Sequence, residues 1–289
     1  MAEYFTVFKI TFSELKFQPR LMNIPKQASS EAPVEAVVLA PKALSCGITE
    51  ALHFATFKTF QNIAALMANK CSDAETANLY APHKYLPHAS SMSLGAVNDS
   101  ALVDALLGEI GRGSVGSHVR RMLGSNEVLC NLDQAWMRRQ YAPHLYPPKH
   151  APHGWHQDGA LGFDFLKQDR TALDSEALLP TVTCWISLTL CGVDAPGLEF
   201  VTQTIEELLL PEELTHNTIS RRFLADSFYK PQMEAGDAVL FRGGTLHRTH
   251  VVDAMQANRT SVELRFVAKH NIPKRLSEDC FVSLPQAVD

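Results

Sequence analysis

Residues 235–247 run Ala235-Gly236-Asp237-Ala238-Val239-Leu240-Phe241-Arg242-Gly243-Gly244-Thr245-Leu246-His247: a turn, a buried strand, a glycine turn and then a histidine. Working outward, the chain from Asn126 onward is a series of short strand-like runs broken by Pro and Gly. They are Glu127 to Leu132, Trp136 to Ala142, Thr181 to Leu190, Leu198 to Val201, Ala238 to Arg242 and Ser261 to Ala268. Runs of this length and composition predict a β-sandwich or jelly roll. Ile205 to Ala225 is the exception and reads as helical turns inserted between strands.

The first 125 residues have a different character. Leu52, Phe57, Phe60, Ile63, Ala64 and Met67 recur near three-and-four spacing within 51–70, which predicts an amphipathic helix packed on a sheet. A second helix is expected from Asp99 or Ser100 as N-cap to Ile110, ending at Gly111-Arg112-Gly113, and a third over Val115 to Leu123, stopped at Gly124. Tyr4 to Phe12 alternates enough for a strand, and Gln18 to Pro33 looks like a polar connection. The organisation expected is a single domain over 1–289: a mainly helical part at 1–125, the β core at 126–270 and a tail at 271–289.

At 289 residues, 46% hydrophobic and 20% charged, the chain has the composition of an ordinary globular protein. A net charge of -5 with scattered Lys and Arg argues against a nucleic-acid surface. No apolar stretch approaches the roughly 18 residues of a membrane span, and the start lacks a signal-peptide pattern, so a cytoplasmic protein is expected. The six cysteines form no Cys-x-x-Cys pair and are read as buried free thiols.

The chemistry is concentrated in three places. Gly154-Trp155-His156-Gln157-Asp158-Gly159 holds a His-x-Asp pair, and on a strand residues two apart share a face, so an imidazole and a carboxylate can share a metal. With 12 His in 289 residues, chance alone supplies about 0.6 such pairs, so the spacing needs further elements. His247, after the glycine turn, supplies one. Two His and one carboxylate on an octahedral iron leave three positions, enough for a bidentate 2-oxo acid and dioxygen. Arg259, twelve residues later, opens the run Ser261 to Phe266, expected beside the metal-bearing strand, and a guanidinium there can grip the distal carboxylate of such a co-substrate.

In order, WHQDG, TVTCWISLTL, GDAVLFRGGTLHRTH and NRTSVELRF resemble the phytanoyl-CoA dioxygenase-like family over about residues 126–270. The resemblance implies a mainly β fold with α elements: a double-stranded β-helix (jelly-roll, cupin-like) core with N-terminal and inserted helices. It implies Fe(II) held by His156, Asp158 and His247, 2-oxoglutarate anchored by Arg259, and Trp185 and Gln140 lining that co-substrate. With O2, the implied reaction releases succinate and carbon dioxide while oxidising a C–H bond of a small or medium organic molecule. Asp158 keeps the carboxylate that halogenating relatives replace.

Rival readings stand beside these. His250 competes with His247, but three residues apart on a strand they face oppositely. His144, His150 and His153 crowd a Pro-rich entry without fixed directions. Arg265 shares the strand parity of Arg259 and is read as structural. Trp155, Phe163 and Phe165 are more simply core than a substrate wall, and Arg138 and Arg139 more simply a solvated strand edge. A cupin-like metal isomerase or hydrolase without 2-oxoglutarate, or a catalytically silent metal-binding relative, are the alternatives in function.

Overall fold

The computed structural model describes residues 36–68, 91–97, 99–145, 152–160, 178–272 and 280–286. The expected strand at Tyr4 to Phe12, the connection at Gln18 to Pro33, and Phe163, Phe165, His150 and Cys71 lie outside these residues.

The described chain runs β1 (Val37–Ala40), α1 (Cys46–Ala68), β2 (Ser91–Ser93), α2 (Ser100–Arg112), α3 (Ser114–Leu123), β3 (Val128–Asn131), β4 (Trp136–Gln140) and β5 (Thr181–Ser187). It continues through β6 (Gly197–Val201), α4 (His216–Arg222), β7 (Phe228–Tyr229), β8 (Ala238–Arg242), β9 (His247–His250), β10 (Arg259–Ala268) and β11 (Phe281–Ser283). The strands form two antiparallel sheets. The major sheet has the order β1-β8-β5-β10-β3-β11, with β4 also on β10 and β2 on β4; the minor sheet is β7-β6-β9. This is the mostly β, jelly-roll architecture with added helices that the sequence predicts. Strands β1 and β2, from before residue 125, and β11, from after residue 270, are part of the major sheet.

The two faces of the major sheet differ in chemistry because side chains alternate along a strand. One face carries Val182, Cys184, Ile186, Leu240, Val262, Leu264 and Phe266, all buried at 0–1% exposure in a core shared with Leu52, Leu106, Ile110 and Val119 of the helices. At roughly 1.5–3 kcal/mol per fully buried large aliphatic or aromatic side chain, this helix–sheet layer is the main apolar reservoir of the fold. The other face meets the minor sheet. There Trp185, Val239 and Phe241 pack on Leu198 and Phe200, and the same face also carries Thr183, Ser261, Glu263 and Arg265. A buried sheet face this polar requires a reason, and the site supplies it.

The helices follow local signals. Asp99 caps α2 by accepting from the Leu102 N–H at 3.0 Å, and Gly124, at φ 63°, ends α3 in the left-handed conformation. Up to Gln61, the last residue of α1 whose side chain is described, the buried stripe keeps Leu52 and Phe60 of the expected set, adds Thr49, Thr56 and Thr59, and leaves Phe57 52% exposed. Threonines carry the three-and-four spacing there, which a purely apolar periodicity overlooks; Thr59 Oγ1 satisfies itself on the Ala55 carbonyl at 2.7 Å. Between Ile205 and Ala225 the regular helix is confined to α4. Of the thiols, Cys130, Cys184 and Cys191 are buried, but Cys46 is exposed on the first turn of α1. No helix among the described residues is long and apolar enough to cross a membrane.

Candidate metal centre

His156 and His247 are brought together by backbone. Their main chains form an isolated antiparallel bridge, His156 N to His247 O at 3.0 Å and the reverse at 3.1 Å. The imidazole centroids are consequently 4.1 Å apart. Asp158 is not on the same strand, as the His-x-Asp reading expects. It begins a short 3-10 turn, Asp158–Ala160, directly after the bridge, and the turn swings the carboxylate back toward the imidazoles. The turn needs Gly159: a Cβ there would lie 2.9 Å from the Leu179 oxygen and 3.0 Å from the Gly243 carbonyl carbon. Gly159 N donates to Gly243 O at 2.8 Å, so the glycine turn before His247 and the glycine after Asp158 form one close approach of two backbones.

Each imidazole has its tautomer set by a carbonyl, which can only accept. Nδ1 of His156 donates to Gly154 O at 2.7 Å and Nδ1 of His247 to Thr245 O at 3.1 Å. The Nε2 lone pairs are therefore available. They lie 3.7 and 3.6 Å from Asp158 Oδ1, and one ligand atom from each of the three residues lies within 4.8 Å of the others. Burial first, and then the neighbouring His156, push His247 down to about 4, so its ring is neutral at pH 7. Burial alone would raise Asp158, but Arg265, then His247 and His156, and the Thr183 hydroxyl outweigh it and hold the carboxyl well below the usual carboxylate range. The neutral His247, the Nε2 of His156 and an ionised carboxylate converging on one point fit a divalent metal.

Arg259, Trp185 and Gln140 line the same chamber as His156 and His247. Arg259 is 2% exposed; its NH1 donates to Gly197 O at 3.1 Å, its guanidinium carbon lies 4.9 Å over the Trp185 ring, and its Nε has no partner. Gln140 is the residue opposite Arg259 in the β4–β10 register. Burial pulls Arg259 down to about 10, so it remains cationic at neutral pH. Ser261, on the same face of β10, also buries a hydroxyl without a partner. The orphaned guanidinium nitrogen of Arg259 in the chamber fits a carboxylate-bearing co-substrate.

The strand that carries these groups is in the major sheet, between β5 and β4, whereas His247 lies on β9 of the minor sheet. Arg259 thus reaches the centre across the gap between sheets, not from beside the metal-bearing strand. Arg138 is likewise no solvated edge, because β4 is paired on both sides, by β10 and β2. It bonds Glu263 through Nε at 2.5 Å and Ser91 Oγ at 2.7 Å. Arg139 lies on the opposite face, its guanidinium carbon 4.3 Å from the Phe60 ring centroid and 4.8 Å from that of Tyr141. Trp155 belongs to a separate apolar cluster with Val201, Leu209 and Leu246. His250 is half-buried opposite Gly197 and is not part of the three-residue cluster.

The role of Gln157 escapes the sequence reading, as does the partner of Arg265, which that reading takes as structural. Gln157, between the two ligands, points away and staples the 205–210 segment, donating to the carbonyls of Glu207 and Gly244 at 3.0 Å and accepting from Leu209 N at 2.8 Å. Arg265 donates to Asp158 Oδ1 at 3.0 Å and to Gln134 O at 3.0 Å, and also pairs with Glu263. Strand parity indicates its direction; its partner lies 107 residues away, where no local pattern points.

The fold and site together define a jelly-roll protein with a His-x-Asp…His arrangement that could hold a metal ion. The phytanoyl-CoA dioxygenase family model matches residues 50–260, and the chain belongs to that family. Among curated proteins none matches the chain by sequence. Its fold is similar to that of EctD from S. alaskensis, solved with 2-oxoglutarate and 5-hydroxyectoine, at 14% identity and TM-score 0.54 over 82% of this chain and 73% of that one. It is similar also to the non-heme alpha ketoglutarate dependent epimerase SnoN from nogalamycin biosynthesis, at 12% identity and TM-score 0.53 over 87% and 94%. The carbocyclase SnoK from the same biosynthesis gives 15% identity and TM-score 0.51 over 87% and 92%. At these identities the likeness is one of fold.

Proposed function

We propose that this protein is an Fe(II)- and 2-oxoglutarate-dependent oxygenase that oxidises a C–H bond of a small or medium organic molecule, with His156, Asp158 and His247 as the metal ligands. The observation that carries this reading is the pairing, in one chamber between the sheets, of the His–Asp–His convergence with a buried Arg259 whose Nε lacks a partner. Structures of EctD and SnoN similar in fold were solved with 2-oxoglutarate and alpha ketoglutarate, which supports the same co-substrate here.

When bound, iron and 2-oxoglutarate supply the activation of O2, with succinate and carbon dioxide as products. The chain's own contribution is placement. His156, Asp158 and His247 would hold the metal with one donor atom each, and the metal would then have room to take the co-substrate and O2. Arg259 holds the distal carboxylate through charge-assisted hydrogen bonds, with Trp185 under its guanidinium and Gln140 opposite it on β4. Gln140, Trp185, His247 and Arg259 are themselves buried, which strengthens each of these contacts. Proteins of similar fold include an epimerase and a carbocyclase, which supports an outcome of the oxidation set by the substrate and by chamber walls beyond the metal ligands.

Succinate formation from 2-oxoglutarate tests this reading, measured with Fe(II), ascorbate and O2 and no added substrate. Slow succinate release that requires all three metal ligands is expected, and Arg259→Ala lowers it at subsaturating 2-oxoglutarate. Metal binding without any succinate, in the presence and absence of candidate substrates, would favour a metal isomerase or hydrolase built on the same ligands.

A further inference from the structure

We infer that Thr183 and Arg265 are positioning residues for Asp158, fixing its carboxylate so that Oδ1 alone is offered to the metal shared with His156 and His247. The inference deepens the metal-centre reading and rests on it. Its basis is the distribution of contacts over the two carboxylate oxygens.

Oδ1 is the oxygen 3.7 and 3.6 Å from the two imidazole Nε2 atoms. Oδ2 accepts a hydrogen bond from Thr183 Oγ1 at 2.6 Å, within the short range of hydroxyl–carboxylate bonds. Thr183 is fully buried on β5, and its β-branch stiffens the side chain, so the hydroxyl is a fixed donor. Arg265, 3% exposed, approaches Oδ1 at 3.0 Å, and an oxygen with two lone pairs can accept this bond and still ligate a cation. In the sheet register Thr183 and Arg265 are direct cross-strand partners, so the two donors form one rigid clamp built on β5 and β10.

Arg265 is in turn held. It donates to Gln134 O at 3.0 Å and pairs with Glu263, which is bonded by Arg138, itself bonded to Ser91. The charges alternate along this chain from the chamber wall to the metal carboxylate, so each buried charge has an opposite neighbour. A carboxylate free to rotate could chelate the metal through both oxygens and occupy a position that the co-substrate or O2 needs. With Oδ2 tied to Thr183, it offers one.

The inference separates from a plain charge effect. Arg265 draws electron density from Asp158, so removing its charge alone would tighten metal binding, whereas loss of positioning weakens it. Outer-shell partners typically contribute about 10- to 100-fold in metal affinity.

The test is Mn(II) titration followed by the EPR signal of the free ion, without 2-oxoglutarate, on wild type, Thr183→Val, Thr183→Ser, Arg265→Lys and Arg265→Met, each checked for folding by circular dichroism. Thr183→Val removes the hydroxyl at nearly constant shape and is expected to weaken Mn(II) about 10-fold or more, with Thr183→Ser restoring it. Arg265→Lys keeps the charge and Arg265→Met does not, and both are expected to weaken binding. Wild-type affinity in Thr183→Val, or tighter binding in Arg265→Met, would overturn the positioning role while leaving the metal centre intact. Failure of the wild type itself to bind Mn(II) would overturn the metal-centre reading, and this one with it.

Discussion

Asp158 and His247 show how burial is used at this centre. A carboxylate 2% exposed is tolerated because Arg265 and Thr183 satisfy both oxygens, and an imidazole 4% exposed is tolerated because it is neutral. Substituting either ligand removes one of three donors, so Asp158→Ala or His247→Ala is expected to reduce divalent-metal binding by at least 100-fold, measured by equilibrium dialysis. The metal-free protein should also carry the signature of His247 in its stability. Its folded value of about 4 lies below the ordinary 6.5, so the unfolded chain binds the extra proton first as pH falls. The stability owed to the neutral ring is fully present above about 6.5 and is lost between about 6.5 and 4. At about 1.4 kcal/mol per pH unit, it amounts to roughly 3 kcal/mol across that window. Urea unfolding at a series of pH values should show this slope in the metal-free wild type and a flatter one in His247→Gln; equal slopes would contradict it.

Among the elements, β10 connects the most functions. One face supplies Arg259 and Glu263 to the chamber and Arg265 to Asp158, and the other supplies Val262, Leu264 and Phe266 to the helix–sheet core. Leu264, with no exposed surface, should cost about 2–5 kcal/mol on truncation to alanine, read by denaturant unfolding. Because the strand is shared, that variant should also weaken 2-oxoglutarate binding; unchanged affinity would show that the polar face is held independently of the core. This strand, β5 and β8 are legible in the sequence because each is a long enough run of strand-forming residues bounded by turns. By contrast, β1, β2, β7 and β11, two to four residues each, hold too little alternation to register. The strand character of β9, His-Arg-Thr-His, arises from pairing with β6 and with His156, not from any apolar pattern of its own.

The described residues form two sheets whose facing surfaces hold a small apolar cluster around Trp185, Phe200 and Phe241, while the larger apolar core, between the major sheet and the helices, leaves the rest of that interface free to be polar. This arrangement explains what in the site could be read from residues alone. His156, Asp158, His247 and Arg259 announce themselves by side-chain type and order along the chain, whereas the clamp of Thr183 and Arg265 exists only once β5 and β10 are paired. A metal held there would tie the sheets together, since His247 belongs to one and the carboxylate clamp to the other. A ligand present at 100 times its Kd adds about 2.7 kcal/mol, and a chain of this size gains about 2–4 °C per kcal/mol. Thermal unfolding under anaerobic conditions should therefore rise by about 5–10 °C on adding saturating Fe(II), with no rise in Asp158→Ala.

On the proposed reading, this chamber binds 2-oxoglutarate on a metal held by His156, Asp158 and His247. The decisive measurement is anaerobic titration of the Fe(II) protein with 2-oxoglutarate, followed by visible absorption. A weak charge-transfer band should appear, disappear in His247→Ala and require about 10-fold or more 2-oxoglutarate in Arg259→Ala. Bound iron without a band at any 2-oxoglutarate concentration would contradict the account.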